Sequence, residues 1–208
     1  MKRFPLAVAI VVLILALGLL AMSWDSGSLT AHMIVHMATV AISAPLLAVA
    51  ISGTRLDPAV HMSWLGPVLA SVVELLVIWL WHVPALRRLA ETRLDAMLLE
   101  QASFLVAGIL LWAVCFRRSK DNTQRLAGII GLLVTSIHMT LLGVLLTLAP
   151  RPLYGTGDVT CLGLTLGRGA DQQLGGVVML VVGAAAYMLG AFVLLVGILK
   201  PATPEANR

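Results

Sequence analysis

The run LTAHMIVHMATVAISAPLLAVAI, Leu29 to Ile51, is 23 residues long and holds no Asp, Glu, Lys or Arg. As a helix rising ~1.5 Å per residue, it is long enough to cross the ~30 Å hydrocarbon core of a bilayer. The apolar residues form an unbroken run without period-2 alternation, which argues for a helix over a barrel strand. Two histidines stand inside it one helical turn apart, each followed by methionine: His32-Met33 and His36-Met37. Hydrocarbon is a costly place for uncommitted imidazoles, so the pair requires a reason.

The rest of the chain is of the same kind. Its 208 residues are 60% hydrophobic and 12% charged, with a mean hydropathy of +0.99, too little polar surface to coat a soluble globule. About six runs of spanning length can be drawn: Phe4 to Trp24, Leu29 to Ile51, Leu65 to Leu86, Ala96 to Phe116, Leu126 to Ala149 and Leu174 to Leu199. The predicted fold is all-α: a polytopic transmembrane helix bundle forming a single integral domain over residues 1–208. Lys2 and Arg3 ahead of the first run, with Ala21-Met22-Ser23 at its end, also fit a signal peptide. The length of the apolar core favours a retained anchor.

Short-loop Lys and Arg residues set the expected orientation. With the amino terminus inside, that side collects Lys2, Arg3, Arg55, Arg117, Arg118, Lys120, Arg125, Lys200 and Arg208. The other side has Arg87, Arg88, Arg93, Arg151 and Arg168, and nine against five places both termini in the cytoplasm. The net charge of +4 is accounted for by anionic lipid headgroups, without nucleic acid. No phosphate-binding glycine loop, nucleophile elbow or C-x-x-C dithiol occurs. Cys115 and Cys161 fall on opposite sides, and Gly163, Gly167 and Gly169 read as a flexible outer loop. His61 reads as solvated in the loop between Gly53 and Gly66.

Depth along these spans brings the chemistry-bearing residues towards one level in the outer half. His32 and His36 share a helix face, and His82 closes the third span in Trp81-His82-Val83-Pro84. Glu100 stands one turn into the fourth span. Asp171-Gln172-Gln173 opens the sixth, with Met179 two turns below. Imidazole and thioether together suit a soft metal such as Cu(I), which makes His32, His36, His82, Met33, Met37, Glu100, Asp171 and Met179 candidate metal ligands. The blander readings are packing for the methionines, an interfacial belt for Trp79, Trp81 and His82, and a helix cap for Asp171. The H-x-x-x-H spacing lacks the Glu of a zinc protease. Glu74 and His138 lie deeper, near the midplane, where each is a functional candidate. Their matched depth would let them pair; the alternative is a neutral Glu74 bonded to a nearby backbone carbonyl, and Gln172 is a further candidate above them.

Taken in order, H-M-I-V-H-M, A-P-L-L (Ala44 to Leu47), W-H-V-P (Trp81 to Pro84), E-Q-A-S-F-L-V-A-G-I-L-L-W (Glu100 to Trp112), R-P-L-Y (Arg151 to Tyr154) and D-Q-Q-L-G-G-V-V-M (Asp171 to Met179) resemble the multi-span CtaG family of cytochrome c oxidase assembly factors. The resemblance implies a non-catalytic protein of the bacterial plasma membrane that helps a haem-copper oxidase mature. Copper would be held on the outer side and passed to cytochrome c oxidase subunits. It carries over to His32, His36, His82, Glu100, Asp171, Gln172 and Met179. Two positions depart from the family pattern: Gln101 stands where histidine is common, and Leu180 where tryptophan is common. Two other functions remain open on the residues: a copper permease with Glu74 and His138 as an inward relay, and a haem b protein with axial histidines from facing helices.

Overall fold

The computed structural model describes residues 2–117, 121–161 and 163–199, apart from the side chain of His61. Arg118, Lys120, Lys200 and Arg208, four of the charges in the orientation count, lie outside the described residues. Among the described residues, five helices are long and apolar enough to cross a membrane, six if one pair of helices bent by 71° is counted as a single span.

Helix α1, Arg3–Ser23, is apolar all round. It packs through Ala9, Ala16 and Leu20 and exposes Phe4, Ile14, Leu15 and Leu17. A 3-10 turn over Trp24–Ser26 follows, and Gly27 (φ 59°) takes the left-handed conformation that reverses the chain. Ser28 then caps α2, Leu29–Met37, by accepting from the Ala31 amide. The rod continues through a π-helical segment, Ala38–Ser43, into α3, Ala44–Ile51. Pro45 explains the wide turn: it has no amide for the Ala41 carbonyl and its ring would strike it, so the helix widens ahead of the proline. The Val40 carbonyl accepts from the Trp112 indole at 2.8 Å.

Helix α4, Gly66–Trp81, ends where Val83 goes extended before Pro84, and α5, Pro84–Thr92, leaves at a 71° bend. The third span, expected to run to Leu86, therefore stops at Trp81. The residue before a proline is pushed out of the helical region, and the proline starts a new helix instead. Two further long rods follow, α6 over Leu94–Cys115 and α7 over Asn122–Leu148. The glycine-bearing loop before the last helix is an antiparallel hairpin. Its strands are β1, Asp158–Cys161, and β2, Leu164–Gly167, with Asp158 opposite Gly167 and Cys161 opposite Leu164. Helix α8, Arg168–Leu199, begins six residues before the expected sixth span and so takes Asp171 and Gln172 into its first turns.

α7 and α8 are packed tightly enough that a Cβ at Gly176 would lie 2.7 Å from the Gly143 carbonyl oxygen, the close approach that small residues permit in lipid. The outer surface is apolar, with Leu76 and Leu80 exposed on α4, Ile137, Leu141 and Leu145 on α7, and Leu189 and Phe192 on α8. Lys2 bonds to the Ala50 carbonyl, and Arg125 at the start of α7 bonds to the Gly197 carbonyl. Gly128, near the start of α7, meets Cys115 and Leu194. Both ends of the described chain therefore lie at one end of the bundle. The bend at Pro84 and the hairpin lie at the other.

Candidate functional site

At the bend end, three histidines face one another inside the bundle. The His32 and His36 rings, one turn apart on α2, stack with centres 6.3 Å apart and planes 5° from parallel. The His82 ring, at the end of α4, lies 6.1 Å from His32 and 5.6 Å from His36. All three are buried, with exposures of 1%, 0% and 5%. Phe104 fills the space beside them, 4.2 Å from His36 and edge-on to it.

One stripe of α6 positions this end. Glu100, Phe104, Gly108 and Trp112 recur every fourth residue, so they share one face. Gly108 admits Ala44 and Val40 so closely that a Cβ there would lie 2.9 Å from that of Ala44, and Trp112 is tied to the π-helical segment. Phe104 and Glu100 are thereby presented to the histidines. The Pro84 break frees His82 from the helix continuation. His82 Nδ1 donates to the Ile78 carbonyl at 2.6 Å, and since a carbonyl can only accept, the proton sits on Nδ1 and the lone pair on Nε2. The His82 carbonyl accepts from Tyr154 Oη at 2.9 Å. Burial pushes the Tyr154 phenol up to about 12, so it remains the donor.

Among these groups, both nitrogens of His32, both of His36 and Nε2 of His82 have no hydrogen-bond partner in spite of their burial. Glu100 Oε1 lies 3.7 Å from His32 Nε2. Glu100 also accepts from Arg87 Nη1 at 3.3 and 3.4 Å and from Gln101 Nε2 at 3.3 Å. Arg87 reaches Glu91 through Nε at 3.4 Å. Through its amide Gln101 thereby supports Glu100. Among the described residues no three His, Cys, Asp or Glu side chains already converge on one point as metal ligands. Imidazole nitrogens ~2.0 Å from a shared ion would put ring centres roughly 5 to 6 Å apart. The observed spacings, 5.6 to 6.3 Å, are close to that.

The structure gives other work to several expected ligands. Met33 and Met37, one position round α2 from the histidines, lie against Gly175 and Gly183 of α8. Met179 is fully buried in the central core. Asp171 is committed to the start of α2: its carboxylate accepts from Ser28 Oγ at 2.7 Å, the Leu29 amide at 2.6 Å and the Thr30 amide at 3.2 Å. The cap expected of it is thus supplied across helices, to the helix that carries the histidines. Gln172 ties the neighbouring loop, donating to the Leu146 carbonyl at 2.9 Å and accepting from the Leu153 amide at 2.7 Å.

Deeper in the bundle, Glu74 accepts from Tyr187 Oη at 2.9 Å, in place of a pairing with His138. Tyr187 is set there by stacking on Trp112, with centres 5.3 Å apart. Ser71 and Thr135 join α4 to α7 at 2.9 Å beside it. His138 is buried with neither nitrogen bonded. Arg87, Phe104 and Tyr154 were not foreseen as members of the site. The signal for Arg87 was its position three residues after Pro84 and four before Glu91.

The fold and site together define a multi-pass helical membrane protein with a buried polar centre of histidine, carboxylate and guanidinium at one end. The profile of the cytochrome c oxidase caa3 assembly factor family (Caa3_CtaG) matches residues 4–200, nearly the whole chain. The chain belongs to that family. No curated protein and no solved structure matches it.

Proposed function

We propose that this assembly factor binds copper, as Cu(I), through His32, His36 and His82 with Glu100 beside them, and passes it to a cytochrome c oxidase subunit. The observation that carries this reading is the set of five unpartnered imidazole nitrogens on three buried histidines. A buried polar group without a partner is costly, and an ion bound among these three rings would relieve that cost. Imidazole suits copper. A site of neutral nitrogens and one carboxylate, without thiolate, holds the metal firmly enough to load and loosely enough to release. Copper is cargo here, and no chemical step is assigned to the protein. Phe104 against His36 fills the space a porphyrin would need, which favours an ion over a haem. The Lys and Arg distribution supports placing this end on the outer face of the bacterial plasma membrane, where an oxidase subunit receives copper.

Metal content of the purified protein under reducing conditions tests the reading. About one copper per chain is expected, lost in the His36→Ala/His82→Ala form. Copper at background in the wild type, or equal copper in the double variant, would refute it.

A further inference from the structure

We propose that Arg87 is the resident counter-cation of the histidine site and that its charge restricts the site to a monovalent metal ion; this rests on the metal-binding reading above. A narrow cavity of about 20 Å³ reaches His32 between the Trp24–Ser28 turn and α5, with Arg87 and Glu91 in its wall. It has room for about one water-sized body, which suits a desolvated ion. An ion there has Glu91, Arg87 and His32 in the wall around it, with Glu100 3.7 Å from His32 Nε2.

The guanidinium is placed to yield. Its bonds to Glu100, at 3.3 and 3.4 Å, are at the long end for charged pairs. Its Nε lies 3.4 Å from Glu91 without a formed hydrogen bond. Arg87 is therefore held by charge between two carboxylates and can move fully onto Glu91 when a cation arrives at Glu100 and His32.

A cation bound beside them favours the ionised form of both carboxyls, and two carboxylates, one guanidinium and neutral imidazoles then leave one negative charge in excess. A single positive charge balances it. A divalent ion leaves a net positive charge in a poorly polarisable bundle, where uncompensated charge is expensive. Of the other charges near Glu91, Arg168 and Asp171 are of opposite sign, and Arg88 is exposed. Without Arg87 the excess becomes two, and the preference passes to divalent ions.

The experiment titrates the purified full chain in detergent with Ag(I), a redox-inert stand-in for Cu(I), and with Zn(II). Arg87→Met is expected to raise Zn(II) affinity relative to Ag(I) at least tenfold over wild type. Arg87→Lys should keep the wild-type ratio, and Glu91→Gln should move the ratio the opposite way. Size exclusion and melting temperature establish that each variant is folded; if Arg87→Met does not fold, Glu91→Gln and Arg87→Lys carry the test. A ratio within twofold of wild type in both Arg87→Met and Glu91→Gln, or in Glu91→Gln alone where Arg87→Met is lost, overturns the role given to Arg87 while leaving metal binding intact. Absence of any Ag(I) or Cu(I) binding in the wild type overturns the metal-binding reading itself, and this inference with it.

Discussion

Replacing Asp171 by alanine is expected to loosen the helix that carries His32 and His36. Its carboxylate accepts three bonds at the start of α2, from Ser28 Oγ and the Leu29 and Thr30 amides, at 2.6 to 3.2 Å. Asp171, Ser28, Leu29 and Thr30 are all buried, so water cannot replace the lost acceptor. Leaving two buried amides unpaired costs ~1–3 kcal/mol each, about 2–6 kcal/mol together. Ser28 Oγ can turn to other acceptors. For a chain of this length each kcal/mol shifts the melting temperature by roughly 2–4 °C, so Asp171→Ala should melt on the order of 4–24 °C lower in detergent. Asp171→Asn keeps one acceptor oxygen and should lose about half as much. The assay is a thermal melt of the purified variants with copper content measured well below the transition. If Asp171 is a cap, stability falls while copper is retained at low temperature. Loss of copper with the melting temperature unchanged would show that it is a ligand and refute the capping argument.

Other outcomes follow from the packing. Gly176→Ala puts a methyl 2.7 Å from the Gly143 carbonyl, and such overpacking should cost ~1–3 kcal/mol, read as a lower melting temperature; an unchanged melt would mean that α7 and α8 separate freely. A double-mutant cycle on Glu74→Gln and Tyr187→Phe should give a coupling of about 1 kcal/mol, whereas Glu74→Gln with His138→Gln should be near additive. Trp112→Phe removes the donor to the Val40 carbonyl at the π-helical segment and should cost ~1–3 kcal/mol in the same melt. A loss no larger than that of an exposed substitution such as Leu76→Ala would show that the carbonyl finds another partner.

Much of the architecture was legible because it follows from local chemistry repeated over many residues. Leu29 to Ile51 has the same bounds in the sequence and in the structure, since Gly27 and Ser28 mark its start and Gly53 follows its end. The break after Trp81 was written in Val83-Pro84, but whether a proline kinks a rod or ends it depends on what the next segment can pack against. Here Arg87 and Ala90 turn inward, so the chain folds back across the end of the bundle. The hairpin of Asp158–Gly167 was read as a flexible loop because its pairing is set by register between two strands of four residues, each too short for a pattern to appear.

For the site, residue type and spacing were enough to single out His32, His36, His82 and Glu100 and to place them at one end, because imidazoles and carboxyls in an apolar helix are conspicuous and depth follows from the rise per residue. Which of the candidates share a centre was decided by the rotation of each helix about its axis, which composition does not encode. That rotation turns His32 and His36 towards Phe104, and Met33 and Met37 towards the glycines of α8. It gives Asp171 to the amides of α2 and Glu74 to Tyr187. It also brings Arg87, in sequence only one of several loop charges, to the mouth of the histidine site.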